Sequence, residues 1–275
     1  MEKFDRSVSM LSWAYNEEES IEEFLKRAYD LMEQTVEDFE LILIDDCSTD
    51  RTYELAETFM KTHEKFRLYR NEKNLDVGLS LQRAVKSASK EFLFWQTVDW
   101  SYNIENLREH LELLKTFDIV QGVRRSAVKT RLNFLKPVFL FFSLFSKQHL
   151  ANRSDNVKKG IVSVINYIVI RVLFKVPLSD FQNIPFYPTK WIQSIKYESK
   201  SGFSNPEGLI KAYWAGKSIK EVPISFTPRK AGEAKGTKLK SIMRSVRDIF
   251  YLWVKWIVLN KKESAKEGSV ERYCK

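Results

Sequence analysis

Through the first 123 positions, apolar and polar residues alternate in blocks whose period switches repeatedly between two and about 3.6 residues. Ser7–Trp13 alternates weakly and predicts a strand. Asn16-Glu-Glu-Glu-Ser20 then opens a helix to about Gln34, with Ile21, Phe24, Leu25, Ala28 and Leu31 on one face. The apolar run from Phe39 predicts a buried strand, and Leu55, Ala56, Phe59 and Met60 mark the next helix. Phe66–Tyr69 reads as a short strand, Asn71–Gly78 as a polar loop and Leu79–Ser89 as a helix. Glu91–Val98 reads as an apolar strand ending in Asp99, Ile104–Phe117 as a helix and Asp118–Val123 as a strand. Such alternation predicts an α/β fold, a mostly parallel sheet with crossover helices on its faces.

After Arg124 the rhythm changes. Leu132–Phe145, Ile161–Phe174 and Ile249–Leu259 are apolar, rich in aromatics and flanked by bases. No uninterrupted run reaches the span of a bilayer. The pattern suits amphipathic helices at a membrane interface, or ordinary core or dimer helices. The chain divides into a main domain over 1–236, with the apolar helices in 132–175, a C-terminal amphipathic helix over 237–261, and a polar tail over 262–275 that reads as frayed.

The charge balance sharpens this picture. Forty-five Lys and Arg face 36 Asp and Glu, a net charge of +9, which suits a polyanionic or phosphorylated partner. The bases flank apolar segments instead of forming a stripe, which argues against nucleic acid. Two distant cysteines, Cys47 and Cys274, make no disulfide framework, so a reducing cytoplasmic compartment is expected. The Met-Glu-Lys-Phe-Asp-Arg start lacks the apolar core of a signal peptide. His63, His110 and His149 have no metal-ligand spacing.

The chemistry concentrates where strands should end. Phe39-Glu-Leu-Ile-Leu-Ile-Asp-Asp-Cys-Ser-Thr-Asp50 delivers two adjacent carboxylates from a buried strand. Helix capping accounts for Ser48, Thr49 or Asp50 but leaves Asp45 and Asp46 unexplained. Acids so placed need a cation or hydrogen-bond donors to meet them. Ser12-Trp-Ala-Tyr-Asn-Glu17, Thr97-Val-Asp99-Trp-Ser101 and Gly122-Val-Arg124-Arg125 stand at the other strand ends. In an open α/β sheet those ends share one crevice. There Tyr15 can stack on a base, Asp45 or Asp46 can accept from base or ribose, Asp99 can hold a hard cation, and Arg124 can clamp a phosphate. Neither G-x-G-x-x-G nor G-x-x-x-x-G-K-[ST] is present.

The order of these motifs resembles family-2 glycosyltransferases. Tyr15-Asn-Glu-Glu18 and Ile44-Asp-Asp-Cys-Ser-Thr-Asp50 are similar to the family's opening, Asn74–Gly78 to its Asn-x-Gly region, and the Asp99 segment to its D-x-D motif. Glu221-Val-Pro-Ile-Ser-Phe-Thr-Pro-Arg229-Lys-Ala-Gly-Glu-Ala-Lys235 resembles a segment of the branch that includes dolichyl-phosphate mannose synthase. The resemblance implies a GT-A-like (Rossmann-like) fold, a nucleotide-diphosphate sugar donor and a divalent metal, Mg2+ or Mn2+. Carried over by position, it implies nucleotide-sugar binding by Ala14, Tyr15, Glu17, Asp45, Asp46, Ser48, Val98 and Asp99. It implies metal at Asp99 and Ser101, catalytic roles for Asp99, Asp180 and Arg229, and phosphate or acceptor binding by Arg124, Arg131, Arg229 and Lys235. The sequence departs from the family pattern at Trp13, Thr97, Asn183 and Ala234; Thr97 replaces the first metal acid.

The function expected from this resemblance is inverting transfer of a sugar from the donor to a polyprenyl phosphate, by a peripheral protein at the cytoplasmic membrane face. A saccharide or lipid-linked glycan is the alternative acceptor, and a non-catalytic nucleotide-sugar binder is the alternative class. Homo-oligomerisation stays open.

Overall fold

The computed structural model describes residues 2–123, 169–225, 239–262 and 266–272. The first half follows the predicted alternation: β1 (Val8–Ala14), α1 (Ile21–Thr35), β2 (Phe39–Asp45), α2 (Thr52–Met60), β3 (Phe66–Arg70), α3 (Asp76–Ser87), β4 (Phe92–Trp95), α4 (Leu107–Glu112) and β5 (Ile119–Val123). Then come β6 (Pro185–Pro188), α5 (Thr189–Ser194), α6 (Ser204–Trp214), β7 (Ser218–Pro223), α7 (Leu239–Trp253) and β8 (Ser269–Glu271). Several boundaries differ from the sequence reading, α3 for one beginning at Asp76 inside the expected loop, and two have clear local reasons. α1 starts at Ile21, because the Asn16–Ser20 segment is drawn into contacts with the loop after β2. β4 stops at Trp95, because the Gln96 side chain turns back and accepts from the N–H of Thr97 at 3.0 Å.

The strands form one sheet in the order β3-β2-β1-β4-β6-β5-β7-β8. All pairings are parallel except those of β6, which runs antiparallel between β4 and β5. The expected mostly parallel sheet flanked by helices is therefore present. Its β1, β2 and β4 strands point their C-terminal ends the same way, in the register Ala14↔Asp45 and Leu11↔Trp95.

Alternation on the central strands divides the core in two. Phe39, Leu41 and Leu43 of β2 face α1 and α2, while Ile42 and Ile44 face the layer of α3, α5, α6 and α7. α3 lies so close to the segment before α6 that a Cβ on Gly78 would stand 2.3 Å from the Ser201 carbonyl oxygen. Only glycine permits that approach.

Two expectations for the C-terminal half are corrected. Residues 266–272 are not a frayed tail: β8 pairs in parallel with β7, and Arg272 donates to the Pro177 carbonyl at 3.1 Å. At the end of the apolar stretch 161–174, expected at a membrane interface, one side packs into the core, while Val172 is exposed. Ile170 and Phe174 are fully buried, and the Phe174 ring meets Phe203, Trp214 and Trp256. The stretch 132–145, and the start of 161–174, lie outside the described residues. No helix among the described residues is long and apolar enough to cross a membrane.

Candidate nucleotide-sugar site

Three loops leave the C-terminal ends of β1, β2 and β4 side by side, and the first two are stitched together. Asn16 N–H donates to Ser48 Oγ at 3.0 Å, and Thr49 N–H returns a bond to Asn16 Oδ1 at 2.8 Å. Glu17 N–H donates to Thr52 Oγ1 at 2.7 Å. Glu18 N–H donates to Asp50, and the Glu18 carboxylate accepts from Arg51 N–H at 3.1 Å. Asp46 N–H closes the base of the pair on the Ala14 carbonyl at 2.8 Å. Each loop turns through a left-handed, non-glycine residue: Asn16, Cys47 and, after β4, Trp100, with φ of 52°, 63° and 50°.

The two carboxylates after β2 have separate environments. Asp45 is fully buried; its Oδ2 accepts from Ser48 N–H at 3.1 Å and lies 3.2 Å from Arg70 Nε. Its Oδ1 is buried with no hydrogen-bond partner among the described residues. Arg70 also donates to the Ser48 carbonyl at 2.9 Å and stacks 4.5 Å over the Tyr53 ring. Asp46 Oδ1 accepts from Asn71 Nδ2 at 2.6 Å and from Leu75 N–H at 2.8 Å. Arg83 in turn donates to Asn71 Oδ1. Thus the cation that a buried acid pair requires is Arg70, and Asn71 with Arg83 orients Asp46. Sequence reasoning missed these three; the signal was the Arg70-Asn71 pair ending β3, which the parallel register Asp45↔Arg70 sets beside the acids.

The third loop is a tight turn. Ser101 N–H is shared between Asp99 Oδ1 at 3.1 Å and Thr97 Oγ1 at 3.3 Å. The Thr97 hydroxyl thus helps close the loop from the position of the absent acid. Val98 and Ser101 are buried, and Asp99 is half-buried. Gln96 holds the loop with a bond from Nε2 to the Tyr102 carbonyl at 2.7 Å. Tyr102 OH donates to the Gln182 carbonyl at 2.6 Å, linking this loop to the segment entering β6.

In that segment Asp180 is 4% exposed, and its Oδ1 caps the turn by accepting from Gln182 N–H at 2.9 Å. Glu221 of β7 lies near it. Burial pushes the Glu221 carboxyl up, and the Asp180 charge adds to that, against the Ser179 N–H and hydroxyl donors. Of the remaining expected residues, Ala14 and Ser48 are buried and hold loop geometry, while Tyr15 and Glu17 are half-buried on the β1 loop. Arg124, Arg131, Arg229 and Lys235 lie outside the described residues.

Among the described residues no group of three acids, histidines or cysteines could hold a metal. The residues present fit a hard cation only as a single carboxylate, Asp99, with the other ligands coming from a bound diphosphate and water, an arrangement Mg2+ accepts.

Comparison with known proteins agrees with this architecture. The chain superposes on the mannosyltransferase PcManGT of Pyrobaculum calidifontis, solved with GDP-Man and Mn2+, with a TM-score of 0.61 at 13% identity, covering 95% of this chain and 66% of that one. That likeness establishes a GT-A fold. In sequence the chain is 22% identical over 253 residues to the glycosyltransferase AglD of Haloferax volcanii, covering 90% of this chain. It is 25% identical over 273 residues to a dolichol-phosphate mannosyltransferase of Pyrococcus furiosus, covering 98%. It spans 37% and 66% of the lengths of these two relatives. The family description Glycosyl transferase family 2 matches residues 9–176, more than half of the chain, and the chain belongs to that family.

Proposed function

We propose that the protein transfers a sugar from a nucleotide-diphosphate donor to a polyprenyl phosphate while resting on the cytoplasmic face of a membrane. The carrying observation is the convergence of Asp45, Asp46 and Asp99 at the ends of parallel strands, on loops held by reciprocal hydrogen bonds. Tyr15 and Glu17 stand on the same rim to receive the nucleoside. Asp46 offers a carboxylate oriented by Asn71 and Leu75 N–H. Asp99 faces the diphosphate, and a bound Mg2+ or Mn2+ there would offset the charge developing on the leaving group. Arg124 and Arg229 are the proposed phosphate clamps.

In the reaction an acceptor phosphate oxygen bonds to the anomeric carbon as the carbon–oxygen bond to the donor diphosphate breaks. The diphosphate leaves with the electron pair, and the family implies inversion. A phosphate monoester, with a second pKa of about 6, is already ionised and needs little help from a base. The turn-capping position of Asp180 suits such an acceptor better than a hydroxyl. The dolichol-phosphate mannosyltransferase relative supports the same choice.

The test is transfer of labelled sugar from a panel of nucleotide sugars to polyprenyl phosphate, with Mn2+ and with a chelator. Metal-dependent lipid product is expected; product only on a saccharide or a lipid-linked glycan would replace the acceptor. A second reading, a non-catalytic nucleotide-sugar binder, is favoured by Thr97, whose hydroxyl accepts from Ser101 N–H at the position of an absent acid. A donor that raises the melting temperature without any transfer or hydrolysis would establish that reading instead.

A further inference from the structure

α7 carries apolar side chains on two sides, one buried and one exposed. Arg244 pairs with Asp76 at the start of α3, and Lys255, just past the helix, pairs with Glu198, while Arg247 is exposed. Asp248 accepts from Ser199 Oγ at 3.0 Å and from Lys200 N–H at 3.2 Å. Ile249, Leu252 and Trp256 fill the core between those contacts. The outward side is apolar. Met243, Val246 and Phe250, at helical spacing, are 64%, 58% and 60% exposed, and Tyr251, Val258 and Leu259 are exposed beside or beyond them. A helix covered on both sides shows apolar residues on both, whereas a side facing water is polar.

We infer that the outer face of α7 docks onto an anionic lipid surface, with Met243, Val246 and Phe250 entering the headgroup boundary. Charge selects the occupant. From 239 to 262, with Arg244 and Lys255 paired to Asp76 and Glu198, the bases Lys240, Arg247, Lys261 and Lys262 remain against one acid, Asp248. Two copies facing each other here would set bases against bases, whereas anionic headgroups complement them. Trp253 packs against Phe250 with ring centroids 5.8 Å apart, an aromatic pair beside bases that suits the lipid–water boundary. The docked helix lies next to the donor rim, because Asp76 directly follows Leu75, whose N–H holds Asp46. The inference rests on the membrane reading above for its biological meaning, but not on the identity of the acceptor.

Flotation with vesicles of phosphatidylcholine, alone and mixed with phosphatidylglycerol, tests it. The parent should float with the mixed vesicles and release as salt rises. The double variant V246E/F250E should lose about tenfold or more in vesicle affinity. Arg247→Glu and Lys261→Glu should each lose at least about fivefold. The melting temperature, and its rise with a nucleotide sugar, should stay at parent values in all of them, since none of these side chains touches the rim. Flotation of V246E/F250E at the parent level overturns the inference, as does a parent that binds neither vesicle type. It is also overturned if the parent sediments as a dimer without vesicles and V246E/F250E as a monomer, which would make the face a contact between copies. Face-dependent flotation together with transfer only to a soluble saccharide would leave this inference standing and overturn the acceptor proposal.

Discussion

At the rim, Asp45 and Asp46 end a strand; in the helical layer, Glu207 sits inside α6. All three are carboxylates at no more than 4% exposure, and their partners divide them. Glu207 accepts from Glu198 N–H and Ser199 N–H, both at 2.8 Å, and pairs with Lys211 at 3.0 Å. Burial pushes its carboxyl up, with Lys211 and the two N–H groups pulling the other way. Lys211 in turn lies over the Trp256 ring and donates to the Lys196 carbonyl. This carboxylate is consumed by its own surroundings. Asp45 keeps an oxygen that none of the described residues satisfies. Burial of an acid therefore says little about chemistry; an incomplete set of partners at a strand end says more.

That contrast can be broken by substitution. Glu207→Ala should have the largest effect on folding, about 3–5 kcal/mol, because it leaves two buried N–H groups unpaired and takes from Lys211 the nearer of its two carboxylates. Urea unfolding measures it, and donor affinity per folded molecule should be unchanged. Asp99→Asn should do the reverse, with turnover falling about 100- to 1,000-fold and the melting temperature held. Equal losses of stability in the two variants would erase the distinction between rim and layer.

His110, on α4 against Phe186, sharpens it further, since burial pushes its imidazole down from 6.5 to about 4. Above pH 6.5 the ring is neutral whether the chain is folded or not. As pH falls from 6.5 towards 4, the unfolded chain takes up a proton that the folded one refuses, and about 3 kcal/mol of stability is lost. His110→Leu should flatten that slope in pH-dependent unfolding. The smallest effect is expected at Arg70. Arg70→Ala removes the cation from Asp45 and should cost about 1.5–3 kcal/mol, with a rise in donor KM larger than any fall in kcat. Arg70→Lys should recover part of the stability and less of the KM, because it lacks the fork that reaches Asp45 and the Ser48 carbonyl together.

The N-terminal half was legible because its helices bury one face at helical period, while β2 and β4, buried on both faces, stand out as short apolar runs between them. β6 was hidden for a physical reason. It is four residues long, begins and ends with proline, and survives inside the sheet because Pro185 stands at its first position. β8 was hidden because it is held by pairing with an edge and not by its own apolar content: Val270 alone of its residues is half-buried. At the site, the acids after β2 were visible as a broken apolar run. Arg70 and Asn71 were not, since each meets an acid 25 residues earlier on the neighbouring strand, nor was Arg83, which acts from α3 through Asn71.

The left-handed turns at Asn16, Cys47 and Trp100 have a thermodynamic consequence. A non-glycine residue in that region costs about 1–2 kcal/mol, and here the cost falls on folding, offset by the bonds that stitch the β1 and β2 loops and close the β4 turn. The loops proposed to meet the donor are thus ordered before it arrives. Donor association should spend little conformational entropy on them, and its heat-capacity change should reflect the area of the nucleotide covered, with no added signature of coupled folding.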